Sequence, residues 1–152
     1  MEISSLGTLE LGSVPALPEA VEAADGFGVD LSRHRARSIG EVDLEPFDLV
    51  LGFERMHVAA AVVDGGAHLD RTFTLPELVD LLHLLPGPPL ATDPVERARV
   101  RIRQAHAARP PDFRSRPVLE IADPLGRTRR AQHETAVEVR ELVAELARAL
   151  VS

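Results

Sequence analysis

Short apolar segments of strand length alternate with helix-like segments along this chain, and this alternation constrains the fold more than any other feature of the sequence. Residues 47–53, FDLVLGF, form a continuous apolar run, which is typical of a strand buried on both faces of a parallel sheet. Residues 71–75, RTFTL, have the β-branched and aromatic content of a second strand, and residues 3–5 have a weaker strand character. Strands that alternate with helices predict an α/β fold with a mostly parallel sheet.

Helical patterns cover residues 18–25, 54–63, 76–85, 95–109 and 131–151. Pro18 and Pro76 each suit the first turn of a helix, and Gly26 suits the end of the first one. The segment at 95–109 is ambiguous, because its arginines alternate as in a strand while its apolar residues form a helical face. Its length favours a helix. The clearest helix is the last, where a period of about 3.6 residues relates Ala136, Val139, Leu142, Val143, Leu146 and Leu150.

The composition fits a single soluble domain over residues 1–152, with 45% hydrophobic and 27% charged residues. No apolar run approaches the roughly 18 residues that a membrane helix needs, and no signal-peptide pattern opens the chain. We therefore expect a cytoplasmic protein that has no membrane partner. The chain contains no cysteine, which excludes disulfides, thiolate metal sites and cysteine chemistry by its own residues.

Charge is distributed unevenly between the two ends of the chain. Residues 1–96 carry 5 Arg against 17 acidic residues, whereas residues 97–152 carry 12 Arg against 7 acidic residues. The basic part could attract phosphate or nucleic acid, or the two parts could neutralise each other within one fold. Aromatic residues make up only 3% of the chain and none interleaves the arginines at 97–103, so we do not expect nucleic-acid binding.

Asp123 is the first candidate for chemistry. It stands in an Asp-Pro-Leu-Gly sequence directly before the last helical pattern. Pro124 fixes its own backbone and biases Asp123 toward an extended conformation, so the carboxyl group projects from a restrained loop. A carboxylic acid held in this way can protonate a leaving oxygen. The same sequence also suits a plain turn before a helix, and both interpretations stay open.

Histidines and arginines supply the second candidate site. His34, Arg35 and Arg37 form a dense cluster that suits either an anion-binding loop or a solvated basic loop. His57 and His83 lie on predicted helices without the partner spacing of a metal site, so we expect no metal. No glycine-rich phosphate loop, His-Glu-x-x-His or Gly-x-Ser-x-Gly motif is present.

Taken in order, several stretches resemble the low-molecular-weight protein tyrosine phosphatase family, particularly its actinobacterial-type branch. The resemblance covers nearly the whole chain. It rests on ISSLGT at residues 3–8, LPEAVEAADGFGVDLSRHRARSI at 17–39, FDLVLGFERMHVAAAVV at 47–63, RTFTLPELVDLL at 71–82 and IADPLGR at 121–127.

The resemblance implies a flavodoxin-like, three-layer αβα sandwich with a small parallel sheet and an activity of phosphomonoester hydrolysis without a cofactor. Its substrates would be phosphorylated proteins or small phosphomonoesters, and Asp123 would take the general-acid position. The family's nucleophile is a cysteine in a Cys-x5-Arg-Ser phosphate loop, which this sequence lacks. Leu125 also replaces the aromatic residue common in the family's acid loop.

We therefore expect the chain to be inactive as written and N-terminally incomplete, with the first strand, the phosphate loop and the first helix missing. The missing strand would lie between residues 3–5 and residues 47–53. Met1 would then not be the native start, and the isolated chain would fold poorly. The alternatives are a non-enzymatic pseudophosphatase that binds anions or partners, and an arsenate-reductase-like remnant, which would need the absent cysteine too.

Overall fold

The computed structural model of the chain describes residues 2–87, 93–117 and 119–151. Within these residues strands and helices follow one another in an α/β order, which confirms the predicted fold class. The elements are α1 (Pro18–Asp25), β1 (Val50–Gly52), α2 (Arg55–Val63), β2 (Thr72–Thr74), α3 (Leu75–Leu84), α4 (Pro94–Ala107) and α5 (Arg129–Val151), with 3₁₀ turns at Ile39–Glu41 and Leu69–Arg71.

The two strands form a small parallel sheet. In its register Val50 lies opposite Thr72, Leu51 opposite Phe73, and Gly52 opposite Thr74. Helix α2 makes the crossover from β1 to β2, as a parallel pair requires. Elsewhere in the described residues, isolated bridges pair Gly7 with Ser38 in parallel and Pro15 with Arg35 in antiparallel.

The helices begin within two residues of the predicted starts, and adjacent side chains cap α3 and α4. Thr74 ends β2 and caps α3, because its hydroxyl accepts from the Glu77 N–H at 3.3 Å while the Glu77 carboxylate accepts from the Thr74 N–H at 3.3 Å. Asp93 caps α4 by accepting from the Val95 N–H at 3.2 Å. The ambiguous segment at 95–109 is thus helical over most of its length, which confirms the prediction from its length.

The main core lies on one face of the sheet. Phe73 projects from β2 into it, and Leu49, two residues before Leu51 and therefore on the same face of β1, packs against it. Helices α3, α4 and α5 cover this face. The buried members of the cluster are Phe73, Leu75, Leu78, Val79, Leu81, Leu82, Ile102, Ala105, Ile121 and Leu146.

A smaller cluster lies on the opposite face. Val50 is one residue away from Leu51, so its side chain points to the other side of the sheet, where it packs beside Ala61 of α2. Leu44 and Ala67 complete the buried part, and Leu6 and Ile39 from the N-terminal segment pack against it. Helices on both faces of a parallel sheet give the flavodoxin-like layering that the resemblance implied.

A nearly buried ion pair fastens the residues that follow α4 to the start of α3, and its guanidinium also bonds to β2. The Arg109 guanidinium donates to the Glu77 carboxylate at 2.9 and 3.0 Å, and to the carbonyl oxygens of Leu69 at 2.9 Å and Thr72 at 2.6 Å. Its central carbon lies 3.9 Å from the centroid of the Phe73 ring. The charge of Arg109 is therefore paired, hydrogen-bonded and stacked rather than solvated.

One strand prediction is wrong. Residues 3–5 form no strand in the structure, and Ile3 is 79% exposed. An extended segment becomes a strand only when a neighbour pairs with its backbone, and no described segment lies beside these residues in that way. Strand β1 also covers only Val50–Gly52 of the predicted residues 47–53.

The charge asymmetry of the sequence is partly neutralised inside the fold. Arg109 pairs with Glu77, Arg99 with Asp48, and Arg129 with Glu22. Each of these pairs joins an arginine of the basic C-terminal part to a carboxylate of the acidic N-terminal part.

None of the helices in the described residues is long and apolar enough to span a membrane.

Candidate functional site

The carboxyl ends of β1 and β2 are crossed by a single segment, residues 119–121. The Ile121 N–H donates to the carbonyl oxygen of Phe53, the residue that follows β1, at 2.9 Å. The Thr74 hydroxyl, at the end of β2, donates to the Leu119 carbonyl oxygen at 3.3 Å. Ile121 itself is buried in the main core. This edge of an open parallel sheet is where α/β proteins place their ligands.

Asp123 follows this anchored segment by two residues, and its side chain is exposed. Its carboxylate Oδ1 accepts from the Leu125 N–H at 2.8 Å, which closes a turn across Pro124. Gly126 supports the turn with a φ of 71°, a conformation that L side chains rarely adopt. The Gln132 side-chain amide donates to the Pro124 carbonyl oxygen at 2.8 Å and fastens the turn to α5. Asp123 is thus presented on a loop that is held at both ends.

Arginines follow the turn and lead into α5. Arg129 pairs with Glu22 of α1 at 3.1 Å, and Arg130 pairs with Glu134 at 2.7 Å. The hydrogen bond from Arg130 to the Glu134 carboxylate raises the pKa of the Arg130 guanidinium. A cavity of about 370 Å³ opens here between α1 and α5, with Glu22, Arg129, Arg130 and Gln132 among its lining residues. Its walls therefore carry charges of both signs.

The second candidate site, His34, Arg35 and Arg37, lies on a loop that is tied to the N-terminal segment. Gly7 donates its N–H to the Arg37 carbonyl oxygen at 2.8 Å, and Ala36 donates to the Val14 carbonyl oxygen at 2.8 Å. The Arg35 guanidinium bends back onto its own loop and donates to the carbonyl oxygen of His34 at 2.7 Å. Arg37 is exposed. No hydrogen bond or ion pair joins these three side chains to Asp123 within the described residues.

The part of the chain that the structure describes has no cluster of side chains suited to bind a metal ion. No group of three or more histidine, aspartate or glutamate side chains there could hold a metal ion. His57 is engaged otherwise, since its Nδ1 accepts from the Glu54 N–H at 3.2 Å at the start of α2. This contact requires an unprotonated Nδ1.

One aromatic contact near the site is not predicted by the sequence. The rings of Phe27 and His133 stack with centroids 5.7 Å apart, and the Arg140 guanidinium lies 5.1 Å from the Phe27 centroid. This stack fastens the end of α1 to α5 beside the Asp123 turn. Phe27 and His133 are far apart in the sequence, and no local pattern could have paired them.

Fold and site together define an α/β, flavodoxin-like domain with an exposed acid at the carboxyl edge of its parallel sheet. No family model matches the chain, and no curated protein matches it. Among solved structures, the fold is similar to that of a low-molecular-weight protein tyrosine phosphatase from T. tengcongensis, with a TM-score of 0.63 and 26% sequence identity. The match covers 95% of this chain and 75% of that one.

Proposed function

We propose that this chain is a low-molecular-weight protein tyrosine phosphatase-like domain in which Asp123 occupies the general-acid position for phosphomonoester hydrolysis. The observation that carries the proposal is the anchoring of residues 119–121 across the ends of both strands, which presents Asp123 at the ligand-binding edge of the sheet. The similarity to the T. tengcongensis structure supports the phosphatase-like fold in this proposal.

Asp123 would act in two proton transfers. In its protonated form it would give a proton to the oxygen that leaves phosphorus, so that the alcohol or phenol departs neutral. As a carboxylate it would then take a proton from the water that attacks the phosphoenzyme. Oδ1 already accepts from the Leu125 N–H, and Oδ2 makes no hydrogen bond to the described residues. A substrate oxygen can therefore reach Oδ2 from solvent.

The nucleophile for this reaction is missing from the chain, because the chain contains no cysteine. We therefore propose that the chain is inactive as it stands and that a strand, a phosphate loop of the Cys-x5-Arg-Ser pattern and a helix belong before it. Two observations support this view. Leu51 is 37% exposed although it lies opposite the fully buried Phe73, and Phe53, the residue after β1, is 43% exposed. A quarter of the similar phosphatase has no counterpart in the match.

An assay with an aryl phosphate tests the proposal in two arms. The 152-residue chain should give no turnover above buffer. The same chain, extended by the residues that its reading frame encodes upstream, should hydrolyse the ester. Asp123→Asn in the extended chain should then lower the rate by roughly 10²–10⁴-fold, and by less for leaving groups that need no proton.

The matched control is Asp80→Asn, which removes another exposed carboxylate, on α3 and away from the loop. This variant should keep the full rate. Turnover by the short chain that Asp123→Asn abolishes would contradict the assignment of a missing nucleophile. Equal loss with good and poor leaving groups would instead make Asp123 a structural residue.

A non-enzymatic function is the second candidate, and the loop of His34, Arg35 and Arg37 favours it. Backbone hydrogen bonds to Gly7 and Val14 fix this loop while the Arg37 side chain stays exposed, as an anion-binding loop requires. Titration of the short chain with inorganic phosphate should shift the amide resonances of residues 32–38 under this alternative. The shifts should vanish in Arg37→Gln. An arsenate-reductase-like remnant would need the absent cysteine and has no separate observation in its favour.

A further inference from the structure

Arg55 connects the start of α2 to the long segment that leads to Asp123. Its guanidinium donates to the carbonyl oxygen of Phe113 at 3.3 Å and also to the carbonyl oxygens of Arg114 and Arg116. These acceptors belong to one tight turn, in which Ser115 donates its N–H to the Asp112 carbonyl oxygen at 2.9 Å. A planar guanidinium with several donors suits such a fan of carbonyl oxygens, and a lysine ammonium could satisfy only part of it.

The backbone of Arg55 makes a second link to the same segment. Its N–H donates to Oε1 of Glu120 at 2.7 Å. The first N–H groups of a helix have no partner inside the helix, so Glu120 caps α2 from a distant part of the chain. Arg55 therefore holds the segment at two places, the turn at 113–116 and Glu120.

The position of Asp123 depends on these contacts of Arg55 with residues 113–116 and Glu120. Asp123 is exposed, and its own hydrogen bond, from Leu125, lies within its turn. Upstream, Arg55, Thr74 and Phe53, which lie at or just after the carboxyl ends of the strands, hydrogen-bond to the segment. The Arg109 guanidinium also lies 4.8 Å from the Phe113 ring centroid, and Ile121 is buried in the core. Among these described contacts, the Arg55 side chain is the charged group that donates to several carbonyl oxygens of the segment.

We infer that Arg55 is a positioning residue for Asp123: it fixes the turn at residues 113–116 and Glu120 against the end of β1, and so sets where the turn of Asp123 stands over the sheet. The inference rests on the proposed role of Asp123 for its functional meaning. The contacts of Arg55 are a property of the folded chain, and their effect on amide exchange can be measured without any catalytic activity.

Amide hydrogen exchange, followed by NMR on the 152-residue chain, tests the inference. In Arg55→Gln the amides of Ser115, Ile121 and Leu125 should exchange at least about tenfold faster, because charge-assisted hydrogen bonds to the turn are lost. Arg55→Lys keeps the charge but carries its three N–H donors on a single nitrogen, so it should restore part of the protection. Glu120→Gln, which keeps an acceptor, should change Ile121 less than Arg55→Gln does.

Arg114→Gln is the matched control, since its guanidinium stays within the turn, 5.7 Å from the Phe113 ring centroid. It should leave Ile121 and Leu125 unchanged. Faster exchange confined to α2 in Arg55→Gln, or an equal increase at Phe73 in the core, would overturn the inference and make Arg55 a contributor to helix or global stability alone. Unchanged exchange at Leu125 would overturn it too. If the extended chain fails to hydrolyse aryl phosphates while the exchange pattern is as expected, the proposed function is wrong, but the conclusion that Arg55 fixes the segment before Asp123 remains.

Discussion

Strands β1 and β2 pair with each other, yet they lie in very different surroundings. All of β2 is buried: Thr72, Phe73 and Thr74 have at most 2% of their surface exposed. In β1 only Gly52 is buried, while Leu51 is 37% exposed. Helices α3, α4 and α5 close the core around β2, whereas the described residues before β1 are mostly irregular, with α1, a 3₁₀ turn and isolated bridges as their regular elements.

The difference separates a closed side of the sheet from an open side. The β2 side has a large apolar cluster and a nearly buried ion pair, both of which stabilise it. The β1 side has an edge that no described strand covers, and such an edge carries unpaired backbone N–H and C=O groups. The proposed functional site, at the carboxyl ends of both strands, lies between a closed and an open half of the sheet.

Breaking the ion pair on the β2 side should have the largest effect. Arg109→Ala leaves the Glu77 carboxylate without its partner in a place where the two side chains are only 3% and 14% exposed. We expect the free energy of opening at the Phe73 amide to fall by about 3–5 kcal/mol. The control, Arg103→Ala, removes an exposed partner of Glu96 from α4 and should cost about 0–1 kcal/mol. Amide exchange measures both, and equal values for the two variants would contradict the closed core.

The same substitution on each side of the sheet sharpens the comparison. Leu78→Ala removes a fully buried side chain of α3 and should lower the free energy of opening by about 2–5 kcal/mol. Leu51→Ala removes a partly exposed side chain of β1 and should cost less than about 1.5 kcal/mol. The measurement is again the exchange of core amides. A loss at Leu51 as large as that at Leu78 would mean that β1 is covered in solution.

A smaller effect is expected where α1 joins α5. Phe27→Leu removes the ring that stacks on His133 and lies beneath Arg140. Aromatic stacking of this kind contributes about 0.5–1.5 kcal/mol. The amides of α1 should therefore exchange faster, by up to about tenfold, while that of Phe73 stays slow. Val29→Ala, at a half-exposed position nearby, serves as the control. An unchanged α1 would show that the stack does not fasten this helix.

The smallest effect concerns the link between Asp48, just before β1, and Arg99 of α4. The Arg99 guanidinium donates to both carboxylate oxygens, at 2.9 and 3.1 Å, and lowers the pKa of Asp48. A carboxyl group whose pKa is lower in the folded state stabilises the fold at pH values above its unfolded-state pKa. This contribution disappears as the pH falls through the folded-state pKa. Both side chains are about half exposed, so the effect is small. Below about pH 4 the wild type should lose slightly more stability than Arg99→Gln does. Equal pH profiles would contradict the link.

Much of the fold can be predicted because it follows from local patterns. Of the stripe predicted for α5, Val139, Leu142, Leu146 and Leu150 meet the core, whereas Ala136 is not part of the core cluster and Val143 is 48% exposed. The Asp-Pro-x-Gly sequence predicts the turn that presents Asp123. The apolar run at 47–53 predicts a strand in the right place, although only part of it pairs.

The rest depends on partners that are distant in the sequence. Residues 3–5 have strand character, but a strand needs a neighbour and none is described beside them. The arginine-rich segments give no sign that Arg109 is nearly buried against Glu77 while Arg103 lies on the surface. The contacts of Arg55 join two stretches that are about 60 residues apart in the chain, and no spacing within either of them encodes these contacts.

Calorimetry of the isolated 152-residue chain tests most directly whether the β1 side is incomplete. An open β1 edge predicts a broad melt in which the van't Hoff enthalpy falls short of the calorimetric enthalpy, because the two sides of the sheet do not unfold together. The upstream-extended chain should melt in one sharp transition. A sharp, reversible two-state transition for the short chain, with monomeric sedimentation under the same conditions, would contradict the account and indicate a self-sufficient fold.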